Sequence, residues 1–164
     1  IHALDEQNVL AVGNGGIIAK ATDGASFTAV TSPVGVGVKL HTCWMKSESE
    51  WLVGGDDGKL YFTVDKGKTW SERSFDGSGS GVVRSIVFAT ESVGWLSHDT
   101  AANKGRILKT VGGGAQDTWR LVSGGIPAND RINQLAVVEG EANLVFGVGL
   151  GDDASDGYAV VGKD

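Results

Sequence analysis

The sequence predicts an all-β fold, and three observations support this. Glycine accounts for 26 of the 164 residues and proline for only 2, which suits many tight turns between short strands. One arrangement, an apolar strand, a turn, a second strand and usually a turn closed by an aromatic residue, occurs four times. The closing aromatics Phe27, Trp70 and Trp119 are 43 and 49 residues apart. Periods of about 40 to 50 residues are typical of four-stranded β-propeller blades, so we predict a propeller, or part of one, with about four blades.

The first two copies show the arrangement most clearly. In the first, strands at 9–13 and 17–21 flank an Asn-Gly turn, and T-D-G-A-S-F follows at 22–27. In the second, strands at 51–54 and 59–62 flank an Asp-Asp-Gly turn, and T-V-D-K-G-K-T-W follows at 63–70. Asn-Gly and Asp-Gly are strong hairpin signals. These segments therefore predict the middle strands and the outer turn of a blade.

The third and fourth copies have longer loops. Strands are predicted at 93–97 and 106–110 in the third copy, and at 143–147 and 157–161 in the fourth, where an acidic loop separates them. Apolar segments at 36–45, 82–89 and 131–138 precede the last three copies and are the predicted innermost strands, and residues 1–4 resemble the end of another.

We predict a single domain, 1–164, with repeats at 1–35, 36–80, 81–128 and 129–164, the last one incomplete. A β-sandwich or barrel built from ordinary hairpins is the alternative. Because the last repeat lacks an outer strand, the chain is expected to be the ordered part of a longer polypeptide, a half ring completed by another chain, or a four-bladed ring.

The segment 63–70 has a clear local logic. Asp65 can accept hydrogen bonds from amides of its own turn, Gly67 can adopt positive φ, and Trp70 can anchor the following strand in the core. The segment resembles the Asp-box, or bacterial neuraminidase repeat, and this resemblance implies a turn between the last two strands of a propeller blade. The structural residues of this motif and its weaker copies are Thr63, Asp65, Gly67, Thr69, Trp70, Asp23, Phe27 and Trp119.

The V-G-x-x-G-x-I and T-x-D-G-G-x-T-W patterns are also similar to the photosystem II assembly-factor-like group of these propellers. That resemblance implies an assembly factor for a membrane complex. Sialidases use the same repeats, together with an arginine triad, a tyrosine nucleophile paired with glutamate, and an aspartic acid. Gly125 stands where their R-I-P motif would carry arginine, so we do not expect an enzyme.

Composition excludes several other classes. The net charge of −6 leaves no basic surface for nucleic acid. No apolar segment approaches the length of a membrane-spanning helix, so membrane insertion is not expected. Cys43 is the only cysteine, and His/Cys metal spacing is absent, so no cofactor or metal is predicted. The acidic loop is the one calcium candidate, through Asp152, Asp153 and Asp156, and a solvated hairpin loop is its alternative.

Loops of variable length are expected on the face opposite the Asp-box turns, and loop variation on a constant scaffold is typical of a binding face. The candidate residues there are His98, Asp99, Asn103, Asp152, Asp153, Asp156, Asp76 and Asn129. His41, Arg84 and Arg131 are expected to line the central channel. We therefore predict a recognition or structural module, in a virion or on a cell surface, that binds a protein partner or further copies of itself. Carbohydrate is the alternative ligand, and the expected setting is extracellular, periplasmic or virion.

Overall fold

The computed structural model describes residues 1–102, 104–122 and 130–151 and the backbone of 157–163. Their strands form four antiparallel sheets that follow one another along the chain. The first sheet contains β1 (His2–Ala3), β2 (Val9–Val12), β3 (Ile18–Ala21) and β4 (Thr28–Val30). The second contains β5 (Leu40–Met45), β6 (Trp51–Gly55), β7 (Leu60–Thr63) and β8 (Ser71–Arg73).

The third sheet contains β9 (Val82–Phe88), β10 (Gly94–Asp99), β11 (Gly105–Thr110) and β12 (Arg120–Leu121). The fourth contains β13 (Arg131–Val137), β14 (Leu144–Leu150) and β15 (Gly157–Lys163). In every sheet, strands that are neighbours in sequence are also hydrogen-bonded neighbours in space. This up-and-down order is that of propeller blades, so the predicted fold class is confirmed.

Three hydrophobic cores hold the sheets together, one between each consecutive pair. Leu10 and Ile18 of the first sheet pack against Trp51 and Val53 of the second. The other two cores follow the same plan: Leu52 and Leu60 meet Ile86 and Leu96 between the second and third sheets, and Trp95 and Ile107 meet Ile132 and Val145 between the third and fourth. Blades of this kind therefore have two apolar faces, one toward each neighbouring blade.

The first strands of the blades lie innermost, next to one another. The second innermost strand begins at Leu40 and not at 36, because Val36 is exposed in the connection that crosses between blades. Two cavities lie between these strands, one near each end. Within the described residues, the model has no helix of the length and apolarity needed to span a membrane.

Candidate functional site

The innermost strands share one irregularity that aims side chains into the channel. The pairing of β5 with β6 shifts at His41, that of β9 with β10 at Arg84, and that of β13 with β14 at Asn133. Each of these residues directly follows a fully or almost fully buried one: Leu40, Val83 and Ile132. A β-bulge turns its extra residue away from the regular alternation. The three bulges therefore present three polar side chains at equivalent positions.

These three side chains converge on one cavity of about 270 Å³ near the start of the innermost strands. His41 and Arg84 were placed in the channel from sequence, but Asn133 was missed. The cavity lining includes Asn133 and Gln134, whereas Arg131 lies two residues before the bulge. An alignment of the innermost strands on Leu40, Val83 and Ile132 would have found Asn133, because it brings the three bulge residues into one column.

Hydrogen bonds from blade to blade form the wall behind the bulges. The hydroxyl oxygen of Thr42 accepts the backbone N–H of Ile86 at 3.0 Å. One blade further on, the hydroxyl oxygen of Ser85 accepts the backbone N–H of Leu135 at 3.1 Å. Both hydroxyl groups are buried. They fix the spacing between neighbouring innermost strands and leave their own O–H groups as donors.

Two of the bulge residues that line this cavity contact carboxylates. Arg84 donates from Nε to Asp99, whose side chain is almost fully buried. His41 Nε2 lies 2.5 Å from Asp56 Oδ1. Asp56 lies in the turn between β6 and β7, so this loop face is tied to the innermost strands. The guanidinium of Arg84 keeps its other N–H groups without a partner among the described residues.

His98 and Asp99 do not lie on an exposed loop, and that expectation was wrong. Strand β10 continues through both, and each is only 1% exposed. His98 donates from Nε2 to the carbonyl of Ser80 at 2.7 Å and packs edge-on against Phe75. Burial lowers the pKa of His98. His98 and Asp99 are therefore buried within the blade, where Asp99 accepts the hydrogen bond from Arg84. Asp76 is exposed, and its carboxylate pairs with Arg106 at 2.7 Å.

The 63–70 turn forms as predicted from its sequence. Asp65 accepts the hydroxyl and backbone N–H of Thr69 and the hydroxyl of Thr63. These bonds, the one from the Thr69 hydroxyl first, lower the pKa of Asp65 to about 2. Gly67 has φ of 78° and donates its N–H to Thr63. The same pattern recurs where Thr110 accepts the N–H groups of Gly112 and Gly114, and where Asp23 accepts those of Ala25 and Ser26.

The aromatics that close these turns differ in burial. Trp119 is 1% exposed in the core between the second and third sheets, and Trp70 is half-buried, with Nε1 donating to the carbonyl of Thr31 at 2.8 Å. Phe27 is 51% exposed. Trp119 and Trp70 therefore pack against apolar neighbours, whereas Phe27 does not. Trp70 and Trp119 pack toward the sheet that precedes their own, and among the described residues no sheet lies before the first.

A second cavity, of about 420 Å³, lies at the opposite end of the innermost strands. Its wall includes His2, whose ring is tilted by 39° against that of Trp44 with centroids 3.9 Å apart, and Lys46, which donates to the carbonyl of Gly113 at 2.7 Å. Burial, followed by the nearby chain terminus, lowers the pKa of His2 to about 4. No motif in the sequence points to this cavity, because its residues come from four different repeats.

Asn103, Asn129, Asp152, Asp153 and Asp156 lie outside the described residues, so the structure does not test the calcium or loop predictions made for them. Among the residues that are described, no group of three or more His, Cys, Asp or Glu could hold a metal ion.

The cavity at the bulges is a polar pocket whose lining includes several hydrogen-bond donors. Its chemistry suits recognition of oxygen atoms by hydrogen bonding.

No protein-family model and no curated protein matches the sequence, but solved structures share its fold. YCF48 bound to a D1 peptide is 18% identical with a TM-score of 0.67, over 95% of this chain and 47% of that one. YCF48 from Cyanidioschyzon merolae is 12% identical with a TM-score of 0.67, over 88% and 45%. The computationally designed Ika4 protein is 13% identical with a TM-score of 0.59, over 98% and 87%.

At these identities the likeness shows a shared fold and nothing more. It agrees with the propeller architecture derived from the strand order. The chain spans less than half the length of either YCF48 chain.

Proposed function

We propose that this chain is a non-enzymatic recognition module that binds a segment of a partner protein at the mouth of its channel. One observation carries the proposal: three consecutive blades each direct one polar side chain, from an equivalent bulge, into the same cavity. A cavity of about 270 Å³ is smaller than a typical cofactor pocket. It suits a single side chain or a short stretch of backbone.

The donors in this cavity indicate what part of a polypeptide it would take. Arg84 offers the unpaired N–H groups of its guanidinium, and Asn133 and Gln134 offer side-chain amides. The hydroxyls of Thr42 and Ser85 accept backbone N–H groups and so can donate outward. Carbonyl and carboxylate oxygens are the complement of such a set. We therefore infer that the bound segment places acidic side chains or backbone carbonyls at the mouth.

The comparisons support a protein partner. One YCF48 structure contains a D1 peptide, and the repeats of this chain resemble the photosystem II assembly-factor-like group. We accordingly propose that the 63–70 turn is an Asp-box and that the chain acts as an assembly factor acts, by binding a partner. We favour this assembly-factor role over the virion or cell-surface role that the sequence first suggested, because no observation supports the latter. Carbohydrate binding has no supporting observation either.

Hydrolysis of sialosides would need an activated tyrosine. Burial raises the pKa of Tyr61, and so does its hydrogen bond to Asp57 at 2.6 Å. A tyrosine held protonated in this way is a poor nucleophile. We expect no turnover of a fluorogenic sialoside by the purified chain. Turnover of the sialoside by the purified chain would contradict the non-enzymatic assignment, and its loss on Tyr61→Phe or Tyr158→Phe would identify the tyrosine responsible.

The proposed function can be tested with a random peptide library displayed on phage and selected against the immobilised chain. Peptides recovered from the selection would be synthesised, and their affinity measured by fluorescence anisotropy. We expect enrichment of peptides with acidic residues. The variant Asn133→Trp should weaken binding at least about tenfold, because an indole at this exposed position fills the mouth.

The matched control is Gln116→Trp, which places the same indole at an exposed position of the 110–119 turn, on the opposite face. It should bind like the parent. If no peptide is enriched, or if Asn133→Trp and Gln116→Trp bind equally well, the channel mouth is not the binding site and the proposal fails.

A further inference from the structure

The interface between blades repeats position by position along the chain. In each sheet, one residue of the second strand lies at the centre of the face that is directed toward the next sheet. Leu10, Leu52 and Trp95 hold this position in the first three sheets, where they pair with His2, Trp44 and Val87. They are 0%, 0% and 2% exposed, because the next sheet covers them.

Phe146 holds the same position in the fourth sheet. It pairs with Ala136, which stands three residues after the bulge at Asn133, as Val87 stands three residues after Arg84. Phe146 is 40% exposed, and Val148 and Leu150 on the same face of β14 are 53% and 44% exposed. The fourth sheet thus repeats the apolar pattern of the interface between blades, but these three residues are not covered by any described sheet.

The hydrogen-bond link between blades also continues to an open end. Thr42 and Ser85, each directly after a bulge, accept an N–H from the next innermost strand. Gln134 stands directly after the third bulge, and its exposed side chain has no partner among the described residues. Its carbonyl oxygen can accept an N–H in the same way. The fourth sheet therefore carries both features of the interfaces between blades: an apolar residue at the centre of the face and a hydrogen-bond acceptor directly after the bulge.

The first sheet has the opposite face open. Positions where the second sheet buries Met45, Trp51 and Val53 are filled in the first sheet by Ala3, Val9 and Ala11. The turn-closing aromatic shows the same contrast. Trp70 and Trp119 pack toward the sheet before their own, whereas Phe27 at the equivalent place is 51% exposed. The side chains on this face are smaller than those at the same positions of the second sheet, which leaves room for large apolar side chains such as Phe146.

We propose that the exposed face of the fourth sheet binds the exposed face of the first sheet in a second copy of this chain. The two faces differ from each other, so the contact is head-to-tail, and two such contacts related by a two-fold axis close a ring. Such a ring contains two copies and leaves neither face open. Two copies together reach the length of one YCF48 chain, since one copy spans 47% or 45% of it.

The mass of the 164-residue chain in solution, measured by size-exclusion chromatography with light scattering, tests this directly. We expect twice the chain mass of 17.0 kDa. Val148→Arg on the fourth sheet and Phe27→Arg on the first sheet should each give monomers, because an unpaired charge would enter the interface. Both positions are exposed, so both variants should fold, which circular dichroism melting checks.

An equimolar mixture of the two variants should form dimers again, since one intact contact joins the unchanged face of each. The control Val36→Arg, at a residue 90% exposed in the connection before β5, should remain dimeric. A parent chain that stays monomeric up to hundreds of micromolar overturns the proposal, and so does a dimer that survives both variants. A mixture that stays monomeric overturns the head-to-tail arrangement.

Discussion

Trp119 and Trp70 occupy equivalent places in two blades, yet their replacement should have different costs. Trp119 is 1% exposed, meets Phe88 edge-on with centroids 6.0 Å apart, and its Nε1 makes no hydrogen bond within the described part of the chain. Trp119→Ala should therefore lower the free energy of unfolding by about 3 to 5 kcal/mol, as large aromatic truncations in cores do. Nearly all of that cost is packing.

Trp70 is only half-buried, so less apolar surface is lost on truncation, but its hydrogen bond to Thr31 is lost too. We expect Trp70→Ala to cost about 2 to 3 kcal/mol, of which about 1 kcal/mol is the hydrogen bond. Replacement by phenylalanine separates the two contributions. Trp119→Phe loses no hydrogen bond, whereas Trp70→Phe loses one at a site where much of the ring contact is retained.

Urea unfolding followed by far-UV circular dichroism measures these differences without relying on tryptophan fluorescence. The slope of unfolding free energy against urea must stay constant for the values to be comparable. Equal losses for the two alanine variants, or a larger loss for Trp70→Ala, would refute the assignment of Trp119 as the deeper anchor.

Three further changes test the turns and the buried histidine. Thr63→Val should lower the free energy of unfolding by about 1 to 3 kcal/mol, because it leaves the N–H groups of Asp65 and Gly67 unpaired near a buried site. The control Thr22→Val, at an exposed position, should be close to neutral when both variants are compared by thermal melting. Lys66→Gly should raise stability by up to about 1 kcal/mol, because Lys66 has φ of 62° at the position that Gly24 and Gly113 occupy in the other turns. The ion pair between Lys66 and Glu48 is exposed, so its loss should cost little. A lower melting temperature for this variant would contradict the prediction. Because burial holds the pKa of His98 below 6.5, the unfolded chain binds the proton first, so stability is complete above about pH 6.5 and declines as pH falls below it. His98→Gln should flatten this decline, and an unchanged pH dependence of the melting temperature would show that another group causes it.

The strands and turns could be predicted because their signals are local. Asp65 and Gly67 specify the 63–70 turn through contacts within eight residues, and the period of such turns indicates the blade. The start of β5 was placed too early, because the apolar residues of the 36–39 connection look like strand residues until their exposure is known.

The candidate site was harder to predict, because it depends on contacts between repeats. Ser97, His98 and Asp99 look like the start of a polar loop, and only the packing of neighbouring blades shows that they are buried. Asn133 carries no motif of its own, and only the register of β13 against β14 places it beside His41 and Arg84.

The links made by Thr42 and Ser85 have a direction. In both, the earlier blade supplies the hydroxyl oxygen and the later blade supplies the N–H. During synthesis the chain emerges from its N-terminus, so a completed blade already displays the acceptor when the next innermost strand appears. Each blade can thus act as a template that pairs with the strand made after it, and folding can advance in the order of translation. Exchange of the Ile86 and Leu135 amide hydrogens in stalled chains of increasing length would record that order.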